Sequence, residues 1–242
     1  MNREILVVDD PAEAAAERIA AAVRRGGHLA LAGGSTPRRA YELVADMRLN
    51  WNAVDLWLGD ERCVPEDDAH SNYKLVQDTL VAGVSEEDYP SAERRPPGEL
   101  GPARAAEAFE EELHAAFGYE VEWPRFDLLL LGLGPDAHTA SLFPNDPALG
   151  ERERWAVGVE TPGMAPFVPR VTLTLPVLNA AREIVFLVAG ADKADAVARA
   201  FADAPDPGAP ASLVRPAHAP VTVLLDAPAA ACLQGSSISP RS

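Results

Sequence analysis

The stretch Phe126-Asp127-Leu128-Leu129-Leu130-Leu131-Gly132-Leu133-Gly134-Pro135-Asp136-Ala137-His138-Thr139-Ala140-Ser141-Leu142-Phe143-Pro144 decides how the rest of the chain is read. A short, continuously apolar run closed by glycine suits a strand that is covered on both faces of a parallel sheet. Gly132 and Gly134 let the backbone turn sharply at the strand's carboxyl end. Ligands of open α/β sheets bind at that end, and here the sequence delivers an acid, Asp136, and an imidazole, His138, two residues apart.

Upstream, two further apolar runs end in residues with chemistry. His28 to Ala32 reads as a buried strand and runs into Gly33-Gly34-Ser35-Thr36-Pro37. The glycines permit close backbone approach, Thr36 is a natural N-cap, and Pro37 is preset for a first helical turn. A helix N-terminus behind a glycine turn has free N–H donors and suits a phosphate. The alternative is an ordinary tight connection that binds nothing. Val54 to Leu58 is the next strand and ends in Gly59-Asp60-Glu61-Arg62. The Arg62 guanidinium matches carboxylate or phosphate oxygens, unless it merely neutralises its two acidic neighbours.

The remaining chain repeats the alternation. Glu4 to Val8 is a first strand, and Asp10-Pro11 opens a helix that Gly26-Gly27 closes. Ser71-Asn72-Tyr73 opens another helix, and residues 83–102 read as a Pro/Gly-rich surface excursion. A helix stripe follows at Ala106, Phe109, Leu113 and Ala116, then strands at Trp155 to Val159 and Arg170 to Leu175. Ile184 to Ala189 is a buried strand, and Lys193 stands at the junction with the helix Ala194 to Phe201. Val221 to Leu225 is a last strand, Asp226 to Cys232 a short helix, and 234–242 a polar tail. About seven strands alternating with helices predict an α/β fold. The expected form is a mainly parallel sheet flanked by helices on both faces, a Rossmann-like three-layer sandwich in a single domain over 1–242.

Composition narrows the partners. The chain has 242 residues, 48% of them hydrophobic, enough to bury a full core. A net charge of −16 disfavours nucleic acid and anionic membrane surfaces. No apolar run approaches the ~20 residues needed to span a bilayer. Met1-Asn2-Arg3-Glu4 leads into a strand without a signal pattern, so a cytoplasmic location is expected. Cys63 and Cys232 make no metal-ligand or disulfide framework. GxGxxG, Gly-x-Ser-x-Gly and His-Glu-x-x-His are all missing. These omissions point to no cofactor, no metal and direct attack by water, with monomer as the default oligomeric state.

Three strand ends thus offer a phosphate-binding turn (Gly33, Gly34, Ser35, Thr36), an arginine beside acids (Arg62), and an acid–imidazole pair (Asp136, His138). Together they describe a site for acid–base chemistry on a small phosphorylated molecule.

The set Gly33-Gly34-Ser35-Thr36-Pro37, Gly59-Asp60-Glu61-Arg62, Ser71-Asn72 and Gly132 to Pro144 closely resembles the 6-phosphogluconolactonase family. Arg170-Val171-Thr172-Leu173-Thr174 and the turn Gly190 to Lys193 fit it too, in the family's order over almost the whole chain. The resemblance implies hydrolysis of 6-phospho-D-glucono-1,5-lactone to 6-phosphogluconate, with His138 as general base, Asp136 orienting it, and Arg62, Arg170 and Lys193 adding positive charge. Two other readings stay open, a glucosamine-6-phosphate deaminase-like isomerase and a non-catalytic phosphosugar-binding sensor. Arg62 after Asp60-Glu61, and Thr139 to Pro144 after His138, favour the lactonase. Two departures stand out. Ala137 occupies a position where the family commonly has glycine, and a Ser-Pro-Lys-Pro-like segment is replaced by Gly163-Met164-Ala165-Pro166.

Overall fold

The computed structural model describes residues 3–233 and the backbone of 238–240. The first half holds strands β1 (Arg3–Val7), β2 (Gly27–Leu31), β3 (Val54–Leu58), β4 (Asp60–Arg62) and β5 (Ala92–Arg94). Helices α1 (Pro11–Arg25), α2 (Arg38–Asp46), α3 (Asn72–Val76) and α4 (Pro102–Phe117) separate or follow them. The second half holds β6 (Leu128–Leu131), β7 (Ala156–Val159), β8 (Arg170–Leu173), β9 (Ile184–Val188), β10 (Val221–Leu225) and β11 (Ile238–Pro240), with α5 (Leu175–Ala180) and α6 (Ala194–Ala200).

Eight strands form one sheet in the order β11-β1-β10-β9-β6-β2-β3-β5, and every pairing in it is parallel. Its strands divide their side chains between two cores with period two, as pleating requires. Leu29, Leu31, Leu56, Leu58, Leu128, Leu130, Val185 and Leu187 pack with α1 and α2 on one face. Ala30, Trp57, Leu129, Leu131, Ile184, Phe186 and Val188 pack with α4, α5 and α6 on the other. Each fully buried leucine, isoleucine or phenylalanine contributes about 1.5–3 kcal/mol relative to exposure. The apolar run 128–131 is therefore continuous because both of its faces are interior.

Local signals act as the sequence indicates at most element ends. Asp10 Oδ1 accepts from the backbone N–H of Ala12 (3.0 Å) and Glu13 (3.3 Å), and Gly26 ends α1 at φ 75°. Four segments depart from the sequence reading. The excursion 83–102 contains β5, an edge strand paired to β3 through Asp55↔Ala92 and Trp57↔Arg94, which its prolines and charges conceal. Asp60–Arg62 does not simply end β3 but forms the first strand of a second, three-stranded antiparallel sheet, ordered β4-β8-β7. Residues 227–232 form turns, not a helix. Of the expected tail, 238–240 pairs with β1, while 234–237 and 241–242 lie outside the described residues.

Gly59 joins the two sheets. Its N–H donates to Leu31 O (3.0 Å) in the main sheet, and its carbonyl accepts from Leu173 N (3.0 Å) in the small one. The chain runs from β2 outward to β3, then returns past β2 to β6, so connections diverge between β2 and β6. Such a switch point leaves a crevice at the carboxyl ends. The adjacent strands β9, β6, β2 and β3 deliver Lys193, His138, the turn 33–36 and Asp60–Arg62 to that edge. Three strand spacings of ~4.8 Å put these groups within about 15 Å of one another. No helix among the described residues is long and apolar enough to cross a membrane.

Candidate active site

The turn after β6 is built around one carboxylate oxygen. Asp136 Oδ1 lies 2.5 Å from His138 Nδ1 and also accepts the His138 backbone N–H at 3.1 Å. Gly134 closes the turn: its N–H donates to His138 O (2.9 Å) and its carbonyl accepts from Ala137 N (2.9 Å). Neither Gly132 nor Gly134 has positive φ. Gly134 is required for space, since a Cβ there would overlap the His138 imidazole. Two alanines of the stretch are left-handed instead, Ala140 at φ 48° and Ala137 at φ 68°, the latter fully buried between the acid and the base. The conformation that glycine adopts freely is thus kept here with a methyl group, at some strain.

Burial works against the Asp136 charge. The hydrogen bond and charge of His138, with backbone N–H groups, outweigh it and hold the carboxyl below its ordinary pKa. An ionised Asp136 at Nδ1 favours the ring proton there, and in the neutral imidazole the lone pair is then on Nε2.

The turn after β2 is shaped by space as well. A Cβ on Gly33 would overlap the Asn72 carboxamide, while Gly34, at φ 95°, faces open space. Thr36 is not the N-cap. It lies in a turn, and α2 starts at Arg38 after Pro37 without a side-chain cap. Pro37 already sets φ for the first turn and leaves the early N–H groups free of side-chain acceptors.

The third arm is the small sheet. On β4, Asp60 and Arg62 share one face and Glu61 takes the other, as alternation dictates. Glu61 does no work in the cleft. Its carboxylate accepts from the backbone of Arg62 (2.7 Å), Asn72 (2.7 Å) and Tyr73 (2.8 Å) and from Ser71 Oγ (3.1 Å), so it caps α3. Burial pushes its pKa up against these donors. Asp60 is buried, with Oδ2 accepting from Ser141 Oγ at 2.6 Å.

Arg62 neutralises neither acid. Among the described residues it makes no ion pair, and its Nη1 donates to His70 O at 2.5 Å. Its direct cross-strand partner is Arg170, a like-charge pairing that costs stability in a sheet. Arg170 is 3% exposed, and its Nη2 donates to Met164 O (3.3 Å) and Pro166 O (3.0 Å). Burial lowers its pKa while Asp60 opposes that, and a guanidinium stays charged at neutral pH. Nε of both arginines and Oδ1 of Asn72 are buried without a partner. Natural proteins keep such defects where a ligand or strain accounts for them.

These arms enclose one cleft. Gly33, Gly34, Ser35, Thr36, Arg62, His138, Arg170 and Lys193 all line it, and Asp136 stands behind His138 outside the lining. The enclosed part of the cleft is small, about 170 Å³, and it opens to solvent at its mouth. Lys193 reaches it with its Nζ 3.3 Å from Asp192 Oδ2, so part of its charge is shared with an exposed acid. Arg62, Arg170 and Lys193 face a single lining carboxylate, Asp60. The cleft is therefore locally cationic on an acidic protein, and focuses anions toward an imidazole lone pair. Asp60, which the sequence sets beside Arg62 at this edge, also lines the cleft, as do Asn72 and Met164, which nothing in the spacing marks. Treating 60–62 as a strand would have separated Asp60 and Arg62 from Glu61.

The chain matches the family described as "Glucosamine-6-phosphate isomerases/6-phosphogluconolactonase" over residues 3–223. It is 41% identical over 201 residues to the 6-phosphogluconolactonase of Synechocystis sp., covering 81% of each chain. With that of Streptomyces coelicolor it shares 38% over 248 residues, covering 96% of this chain and 94% of the relative. The solved 6-phosphogluconolactonase from Trypanosoma cruzi superimposes with a TM-score of 0.82 at 30% identity, covering 95% of this chain and 96% of that one.

Proposed function

The chain belongs to the glucosamine-6-phosphate isomerase/6-phosphogluconolactonase family, and we propose that within it His138 is the general base of a phosphosugar lactonase. The enzyme hydrolyses 6-phospho-D-glucono-1,5-lactone to 6-phosphogluconate, a step of the oxidative pentose phosphate pathway. The observation that carries the assignment of the base is the 2.5 Å pair of His138 Nδ1 and Asp136 Oδ1 at the wall of a cationic cleft.

Water on the cleft side of His138 loses a proton to Nε2 as its oxygen attacks the lactone carbonyl carbon. Asp136 keeps the imidazole in the Nδ1–H tautomer and stabilises the imidazolium as it forms. The tetrahedral adduct collapses by breaking the ring C–O bond, and the imidazolium returns its proton to the departing ring oxygen. Product is then the open-chain acid, and the base is regenerated. The turn 33–36, Arg62, Arg170 and Lys193 hold the substrate's anionic oxygens, and a cation beside the developing oxyanion lowers the barrier. We place this chemistry in a single domain in the cytoplasm, acting on one small-molecule substrate.

Freshly made lactone, followed by proton release above the spontaneous rate, tests the reading. His138→Ala should lower turnover by about 10²- to 10⁴-fold. An alanine variant that hydrolyses lactone like the wild type removes His138 from the role. Ammonia release from glucosamine 6-phosphate would instead favour the isomerase branch of the family.

A further inference from the structure

Three groups hold the His138 imidazole: Asp136 at Nδ1, the Gly134 Cα against the ring, and the ring of Phe143, whose centroid lies 4.6 Å away at a tilt of 40°. The same phenyl ring lies beneath the Arg170 guanidinium, with Cζ 5.5 Å from its centroid. Phe143 is 1% exposed and does not line the cleft, so it touches no substrate. It is itself held in the main core, and its carbonyl accepts from Asp146 N (3.2 Å).

Arg170 needs such a support. Its Nε has no partner, and the hydrogen bonds of Nη2 go to carbonyls of the 163–167 segment. A guanidinium within about 6 Å of an aromatic centroid is drawn to the ring face by its quadrupole. An aliphatic side chain of similar bulk would fill the space without that directional attraction.

We propose that Phe143 is a positioning residue that fixes the spacing between the proton-accepting imidazole and the anion-holding guanidinium. The inference rests on the reading of His138 as the base and Arg170 as a substrate contact. One ring, locked in the core, serves as the gauge between two groups on different elements, the turn after β6 and strand β8. Losing it releases both at once: the imidazole lowers kcat and the guanidinium raises KM.

The test compares Phe143→Leu, Phe143→Met and Phe143→Tyr, with folded fraction taken from thermal melts and kcat and KM from fresh lactone. In the Leu and Met variants kcat should fall about 10- to 100-fold, as misplacement of a catalytic group does, and KM should rise as well. Phe143→Tyr, which keeps the ring, should restore both toward wild type. Folded Leu and Met variants with wild-type kcat and KM overturn the proposal. So does a fall in kcat with KM unmoved and Tyr equally impaired, since that marks a general core defect. A wild-type protein that fails to hydrolyse the lactone at all defeats the reading of the site instead, and is scored before any variant.

Discussion

The two edges of the main sheet each carry a half-buried histidine beside a carboxylate and an aromatic ring, and the two differ in what holds the imidazole. At the carboxyl edge, His138 Nδ1 meets Asp136 Oδ1 at 2.5 Å and Phe143 at 4.6 Å. At the opposite edge, His28 has Asp55 Oδ2 at 3.7 Å and the Phe117 ring at 4.2 Å. The difference lies in what else claims Nδ1. Trp57 Nε1 donates to His28 Nδ1 at 3.2 Å, so that nitrogen is an acceptor and Asp55 cannot hold a proton against it. Burial lowers the His28 pKa, with Asp55 and Asp127 opposing. Its neighbouring arginines are also engaged, Arg182 with Asp127 (3.2 Å) and Arg94 with Asp55 (3.5 Å). The proposed base differs from His28 in that its carboxylate holds Nδ1, where His28 Nδ1 is taken by Trp57.

The largest contrast should come from removing each histidine. Against the loss expected for His138→Ala, His28→Ala should leave turnover per folded molecule unchanged and cost about 1–3 kcal/mol of stability through the orphaned Trp57 donor. Lactone assays beside denaturant melts decide it, and a catalytic defect in His28→Ala that exceeds its loss of folded protein breaks the comparison. Gly134→Ala comes next. The new Cβ must displace the imidazole, and turnover should drop roughly 100-fold, although no titratable group has changed. Wild-type kinetics in that variant would mean the turn yields without moving His138.

Asp136→Asn sharpens the pair through pH. A carboxyl whose folded pKa is depressed adds stability above the unfolded value of about 4, and this is lost as pH falls through the folded value. The stability difference between wild type and Asp136→Asn should therefore be present at neutral pH and shrink under acid, as pH-dependent melts would show. A gap that widens in acid has the wrong sign. The smallest effect belongs to Ala137→Gly. Relief of left-handed strain, roughly 1–2 kcal/mol, is offset by the lost burial of a methyl, about 0.8 kcal/mol, and by the greater unfolded-state freedom of glycine. Stability should shift by about 1 kcal/mol or less, with lactone turnover preserved.

Much of this arrangement is legible in the chain because single residues carry it. The run 128–131 reads as a strand buried on both sides, Asp10-Pro11 marks a helix start, and each glycine-bearing strand end that was singled out reaches the cleft. What stayed hidden depends on pairing. Nothing local announces that 60–62 leaves the main sheet, since the decision rests with β8, more than a hundred residues on. Edge strand β5 sits among prolines and charges that signal a loop. Thr36 has the chemistry of a cap, but Pro37 places the helix start one residue later. Asn72 and Phe143 matter through what lies against them, the Gly33 backbone in one case and His138 with Arg170 in the other, and contact is not written in spacing.

Gly59 belongs to both sheets through one hydrogen bond each way. Arg62 and Arg170, the guanidiniums proposed to hold the substrate's anionic oxygens, stand on the small sheet, whereas His138 follows a central strand of the large one. Proteins open in cooperative units of unequal stability. A fluctuation that frays the three short strands beyond Gly59 would therefore loosen both arginines at once, and through Ser141, which bonds to Asp60 (2.6 Å) and to Thr172 Oγ1 (3.2 Å), would also reach the turn that carries His138.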